Sequence, residues 1–141
     1  MGNQTFAIIK PDAVKNKDTG LILDRILKAD FHILAGKLLH MSLQQAEGFY
    51  AIHKGKPFYD ELIEFMSSGQ CMVLALKKEN AVEEWRYTIG ATNPAESALG
   101  TIRKDFATNV GLNAVHGSDS DENAQKEIAF FFSDSELRGN Q

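Results

Sequence analysis

His116 closes a short apolar run, and small polar residues follow it at once: Asn113-Ala114-Val115-His116-Gly117-Ser118-Asp119-Ser120. An imidazole titrates near neutrality, so at cellular pH it can act as a neutral nucleophile or carry a proton. Gly117 is expected to leave room for a ligand. Ser118, Asp119 and Ser120 are N-cap residues, and a helix N-terminus presents free backbone N–H groups that attract anions. A nucleophile beside an anion site points to phosphoryl chemistry. Glu127 could return a carboxylate from the third turn of the following helix, fixing the imidazole's tautomer and steadying its developing charge. It equally fits a solvated face beside Lys126, and on residue types alone that reading leads.

Phosphoryl transfer is mostly positioning and charge stabilisation, so cations must surround the moving group. Lys10 ends the apolar stretch Ile8-Ile9-Lys10-Pro11, where a lysine is costly unless it meets an anion. Arg86 sits beside Trp85, and Arg103 lies in a stretch without periodicity; taken singly, each is more often a surface charge. Phe58 follows Pro57 at a helix start, with Tyr50 and His53 just before it, and could stack on a nucleobase without selecting it. A core role is the commoner fate of such a ring. There is no Walker A sequence, so the cradle is not a P-loop. His32, His40, His53 and His116 show no helical metal-site spacing, and the single cysteine, Cys71, leaves a zinc site weak and an intrachain disulfide impossible.

These groups need a frame, and 141 residues with 43% apolar and 24% charged side chains imply one globular domain over 1–141. The net charge of −4 argues against coating nucleic acid. No run approaches a membrane span or a signal peptide, and the cysteine usage suits a reducing compartment, so a cytoplasmic protein is expected. Residues 5–10 and 71–76 read as buried strands, 31–41 as a third and 113–116 as a short fourth. Helices are expected over 20–29, from Ser42 with its Gln45 capping box, from Phe58 to Met66, over 80–89 and over 119–132. In the helix from Phe58, that ring, Leu62, Phe65 and Met66 mark the apolar face. Residues 90–111 lack a sustained period, as functional loops do, and the tail from Ser133 reads as loose. This order fits an α+β, ferredoxin-like split βαβ sandwich, with helices on a four-stranded antiparallel sheet. A flavodoxin-like doubly wound sheet is the competitor.

Together these residues resemble the nucleoside diphosphate kinase family. The segment from Asn113 to Ser120 is similar to its active-site signature, and further blocks follow in family order. They are Ile9-Lys10-Pro11-Asp12-Ala13, Phe49-Tyr50 with His53, Lys56-Pro57-Phe58, Met66 to Gly69, Ile89 to Pro94, Gly100 to Arg103, and Lys126-Glu127-Ile128. The resemblance covers nearly the whole chain. It implies transfer of the γ-phosphate of a nucleoside triphosphate to a nucleoside diphosphate, by a ping-pong route through phosphorylated His116.

Carried onto this chain, the resemblance makes His116 the nucleophile through Nδ1, with Glu127 on the other nitrogen, helped by Ser118. Lys10 would stabilise the transferred phosphate and Asn113 would lie near ribose and phosphate. Arg86, Thr92 and Arg103 would grip phosphates, and Phe58 would stack on the base. Tyr50, His53 and Leu62 would shape the site, and Val110 would face the base. Mg2+ would ride on the nucleotide phosphates with no direct protein ligand, and at most a water-mediated contact to Asp119. The irregular segment from about Gly90 to Gly111 corresponds to a nucleotide-covering loop. The family is homo-oligomeric, and a C-terminus like that of bacterial-type members favours a tetramer over a hexamer. Leu112, where many members carry Arg, and Asp121, where an apolar residue or Pro is frequent, are minor departures. Two rival readings are a histidine phosphocarrier that never binds nucleotide and a nucleotide-binding regulator without catalysis.

Overall fold

In the computed structural model, which describes residues 2–139, four strands and eight α-helices alternate along the chain. They are β1 (Gln4–Ile9), α1 (Pro11–Lys15), α2 (Thr19–Lys28), β2 (His32–His40), α3 (Leu43–Phe49), α4 (Tyr59–Met66), β3 (Gln70–Lys77), α5 (Ala81–Ile89), α6 (Ile102–Phe106), β4 (Val115–Gly117), α7 (Asp121–Phe131) and α8 (Asp134–Arg138). Short 3₁₀ turns occupy Ala51–His53 and Pro94–Glu96. The sheet is antiparallel throughout, in the order β2-β3-β1-β4. This is the expected split βαβ, ferredoxin-like sheet.

The central strands β1 and β3 are apolar on both faces because helices cover both. Successive side chains of a strand point to opposite faces, and the two cores divide accordingly. Phe6, Ile8, Cys71, Val73 and Ala75 pack with Ile63, Met66, Ile128 and Phe131 of α4 and α7 on one side. Ala7, Ile9, Leu74 and Leu76 pack with Ile22, Ile26, Trp85 and Ile89 of α2 and α5 on the other. Cys71 is buried, and burial pushes its thiol up to about 11, so it is an inert core residue.

Local signals set most boundaries. Pro11 ends β1 and also opens α1, where its missing N–H is no loss. Gln45 N–H donates to Ser42 Oγ at 3.0 Å and Ser42 N–H to Gln45 Oε1 at 2.9 Å, the reciprocal capping box of α3. Two expectations need correction. The segment 90–111 is not a bare loop: Asn93 caps the turn at Pro94–Glu96, and the Thr101 hydroxyl caps α6. The tail as far as Gly139 is not loose either, and Asn140 and Gln141 lie outside the described residues. Ser133 and Glu136 form a second capping box, and the Lys37 ammonium ties β2 to the end of α7 through Phe131 O at 2.6 Å and to α8 through Glu136 Oε2 at 2.9 Å.

The last strand, β4, is three residues long and among the described residues pairs only with β1, with Ile8 opposite His116 and Ala7 opposite Gly117. His116 therefore faces the α7 side and Gly117 the α5 side. A Cβ at Gly117 would stand 2.9 Å from Trp85 Cδ1 and 3.1 Å from Ile89 Cδ1. Its missing side chain admits the Trp85 indole on one face, and the same glycine lines the cleft beside His116. The indole N–H in turn donates to the His116 carbonyl at 3.0 Å. Gly117→Ala should accordingly overpack a rigid ring and lower stability by about 1–3 kcal/mol, measured as the urea midpoint at unchanged slope.

Candidate active site

His116 and Glu127 come from different elements and meet above β1. In α7 the buried stripe is Ala124, Ile128 and Phe131, and helical spacing puts Glu127 on the border of that stripe. Its Oε1 accepts from His116 Nε2 at 2.8 Å and from the Ser118 hydroxyl at 2.8 Å. A carboxylate on Nε2 holds the proton there, so neutral His116 carries its lone pair on Nδ1. The rings of Phe49 and Phe6 stand edge-on to the imidazole at 5.6 and 6.0 Å and restrict its rotation. The solvated reading of Glu127 is thus overturned: the side chain is largely buried, while Lys126 beside it pairs with Glu122.

Cations gather at the same end of the sheet. Lys10 is partly buried where β1 ends, and its ammonium donates to Asn113 Oδ1 at 2.9 Å. Burial, reinforced by the charge of Arg103, lowers Lys10 to about 8, although Asp12 opposes the change. Arg103 is not a surface charge. It lies beneath β4, 9% exposed, donating to Gly90 O and Val115 O at 3.0 Å each. Burial and the nearby charge of Arg86 lower it to about 10. Between Asn113 and His116 the backbone is strained: Ala114, fully buried, sits at φ +72°. That conformation costs a non-glycine residue about 1–2 kcal/mol. Asp12 Oδ2 accepts the Ala114 N–H at 3.0 Å, and Ala114 O accepts the Lys10 N–H at 2.8 Å.

From His116 a cleft of about 1200 Å³ runs toward α4. Its wall is a series of rings: Phe49 against Tyr50 at 4.9 Å, Tyr50 against His53 at 6.3 Å and His53 against Phe58 at 5.4 Å. In α4 the core takes Tyr59, Ile63 and Met66. Phe58, 48% exposed, lines the cleft instead, while Leu62 and Phe65 both line it and pack against the core. The core reading of Phe58 is therefore corrected. Val110 and Leu112 close the opposite side, while Arg86 and Thr92 reach in from the end of α5 and beyond it. Burial and the Lys56 ammonium hold His53 toward its neutral form. Burial also raises the Tyr50 phenol, whose hydroxyl has no partner among the described residues.

A nucleophile, clustered cations and an aromatic-walled cleft are what a nucleotide phosphotransferase requires, and comparison with known proteins agrees. The family model described as nucleoside diphosphate kinase matches residues 3–137. The chain belongs to the nucleoside diphosphate kinase family. It is 54% identical to the nucleoside diphosphate kinase of Geotalea uraniireducens over 95% of this chain and 98% of that protein. The crystal structure of the Aquifex aeolicus nucleoside diphosphate kinase superposes with a TM-score of 0.94 at 42% identity, covering 96% of this chain and 98% of that one. The halophilic nucleoside diphosphate kinase from Halobacterium salinarum, solved in complex with CDP, gives a TM-score of 0.91 at 34% identity, covering 97% and 91%.

In this nucleoside diphosphate kinase the residues expected from sequence fall into two groups. Lys10, Tyr50, His53, Phe58, Leu62, Arg86, Thr92, Val110, His116, Asp119 and Glu127 all line the one cleft. Ser118, Asn113 and Arg103 stand behind it, bonded respectively to Glu127, to Lys10 and to the backbone around β4. Sequence reasoning missed Trp85 as the support of the His116 carbonyl and Asp12 as the partner of Ala114. Only the four-residue spacing of Trp85 from Ala81 and Ile89 and the place of Asp12 two residues after Lys10 hinted at either. Asp119 faces the cleft, kept below the usual carboxylate range chiefly by the Asn123 side-chain amide at 2.6 Å. The described residues contain no cluster of three or more acidic, His or Cys side chains able to hold a metal. One ionised carboxylate suits a cation that keeps its waters and takes its other ligands from phosphates.

The lowered value of Lys10 has a consequence for stability. Between about pH 8 and 10.5 the unfolded chain holds this proton while the folded one has released it, so stability rises with pH there. Below pH 8 both states are charged and the fold carries the full cost of a confined ammonium. Lys10→Met should stabilise the ligand-free protein at pH 7 by about 1–3 kcal/mol. It should also remove that part of the alkaline rise, as read from urea unfolding across the pH range, and it should weaken binding of nucleotide.

Proposed function

We propose that this kinase works by a ping-pong mechanism in which His116 carries the phosphate between two nucleotides. The observation that carries the reading is the bond from His116 Nε2 to Glu127, which leaves Nδ1 without a hydrogen-bond partner among the described residues. In the first half-reaction the Nδ1 lone pair forms a bond to the γ-phosphorus as the β–γ P–O bond breaks. The bonding electrons leave with the diphosphate. The Nε2 proton stays where it is, and the Glu127 carboxylate offsets the positive charge that the ring acquires. In the second half a terminal oxygen of the acceptor diphosphate attacks the same phosphorus, and the N–P electrons return to Nδ1.

Lys10 and Arg86 line the cleft beside His116 and would hold the charge of the moving group. Arg103, bonded to the strand from below, keeps positive charge near it. Asn113 positions Lys10 and would reach the ribose or phosphates, and Thr92 would contact the phosphates. Phe58 would stack on the base, with Leu62 and Val110 beside it, and Tyr50 and His53 would form the wall between base and phosphates. These groups at the base end are mostly apolar surfaces rather than edge-reading donors, which supports broad tolerance among nucleosides. Mg2+ bound to the phosphates would neutralise their charge and align them, with Asp119 placed to contact its water.

A labelling chase tests the reading. Protein incubated with Mg2+ and γ-labelled ATP, then freed of nucleotide, should carry acid-labile label that His116→Ala lacks, and unlabelled GDP should recover it as labelled GTP. Label that GDP cannot remove would instead indicate a phosphocarrier, and binding without label a non-catalytic protein. Glu127→Gln should slow the labelling step roughly a hundredfold, the scale of losing one electrostatic stabiliser. Phe58→Ala should weaken every nucleotide by a similar factor, about 1–3 kcal/mol.

A further inference from the structure

The turn after β1 makes three contacts, within three residues, to the two residues that lead into the nucleophile's strand. Lys10 N–H donates to Ala114 O at 2.8 Å, Lys10 Nζ to Asn113 Oδ1 at 2.9 Å, and Asp12 Oδ2 accepts Ala114 N–H at 3.0 Å. The last of these is the unusual one. Ala114 is an alanine at φ +72° in the core, a conformation that persists only where its surroundings over-determine it. Both of its backbone polar groups are held by this turn. Asp12 is the side chain that holds the N–H, and its other oxygen, Oδ1, is buried with no hydrogen-bond partner among the described residues. A carboxylate with one oxygen so placed is poorly suited to a purely stabilising task, since its confinement is only half compensated.

What the strain does is visible in the chain trace. Ala114 reverses the backbone between Asn113, which points its amide at Lys10, and Val115, which enters β4. A relaxed Ala114 would re-aim either Asn113 or the three-residue strand, and with it His116. We infer that Asp12 is a positioning residue for the phosphoryl transfer proposed above: it clamps the strained Ala114 backbone, fixing His116 and Lys10 relative to each other. It acts through the backbone and touches no substrate. Displacing a reacting group by about 1 Å costs on the order of a hundredfold in rate without a matching loss of binding. The inference rests on the phosphohistidine reading.

The test compares Asp12→Ala, which removes the acceptor, with Asp12→Asn, which removes the charge but keeps an acceptor oxygen. The single-turnover rate of label transfer from γ-labelled ATP with Mg2+ to the protein is measured alongside the Kd for ADP. Asp12→Ala should slow transfer tenfold or more with the Kd within about twofold, while Asp12→Asn stays within about threefold of the original rate. Equal loss in both variants, or loss of binding in step with rate, overturns the clamp. A second arm uses Ala114→Gly, because glycine takes a positive φ without strain. In that background Asp12→Ala should cost less than threefold in transfer, and a tenfold loss there overturns the clamp even where the single Asp12→Ala variant does not fold. The original protein is the reference in every arm. If it takes no label on His116, the phosphohistidine reading fails whatever Asp12 does.

Discussion

A three-residue strand at the edge of a sheet is a poor place to hold a side chain still, and β4 is where His116 sits. Three residues of ladder give little resistance to fraying, since each hydrogen bond adds only about 1 kcal/mol net. The surrounding fold supplies what the ladder lacks. From the α5 side the Trp85 indole donates to the His116 carbonyl, and it lies close because Gly117 has no side chain. From the α7 side Glu127 grips the ring nitrogen while Phe6 and Phe49 bracket the ring. From below, Arg103 bonds the Val115 carbonyl. Upstream, the turn after β1 holds Ala114. The imidazole is fixed by three helices and the turn after β1 rather than by its own strand.

The electrostatics follow from the same crowding. Lys10 and Arg103 are both depressed by burial, and each is lowered further by another cation. Such an arrangement disfavours the ligand-free fold and favours any state in which an anion enters. The aromatic cleft has the opposite character. Its walls are mostly uncharged rings and aliphatic side chains, and the groups with polar tips, Tyr50 and His53, are held toward their neutral forms. One end thus attracts polyanionic charge and the other offers flat apolar contact. A nucleotide has that same division of character along its length.

Much of this was legible in the sequence, for identifiable reasons. The central strands β1 and β3 carry the continuous apolar runs Phe6 to Ile9 and Cys71 to Leu76, short enough and well enough bounded to read as buried strands. The Ser42 and Gln45 box announced α3 because capping is local chemistry. By contrast α6 and α8 are five residues each, too short to show a period. The opposing packing of Gly117 on Trp85 was invisible because it joins residues 32 apart across the sheet. Ala114 gave no signal at all, since a positive φ is expected of Gly or Asn and not of Ala. The positive-φ turn there closes on its own Val115 N–H to Asn113 O bond and is held in place by hydrogen bonds from a distant segment, and propensity does not register those.

Glu127 and Phe58 show a more general limit. On residue types Glu127 fits either a partner of His116 or a solvated face, and Phe58 either a base-stacking ring or a core residue; in the fold both line the cleft. Each lies on the border of an amphipathic helix's buried stripe, where a residue can touch the core with its stem and the cleft with its tip. In α7 the border position puts a carboxylate beside an imidazole instead of beside Lys126. At α4 it puts Leu62, and Phe58 at the N-cap just before the helix, outside the Tyr59, Ile63 and Met66 stripe. Helix periodicity records only which residues are apolar, so a polar residue inside the stripe and an apolar one outside it are both read as noise. They are in fact the two kinds of position from which a helix can build a site. A helix packed on one face of a sheet must leave such a border exposed, and here α4 and α7 turn theirs toward the same cleft.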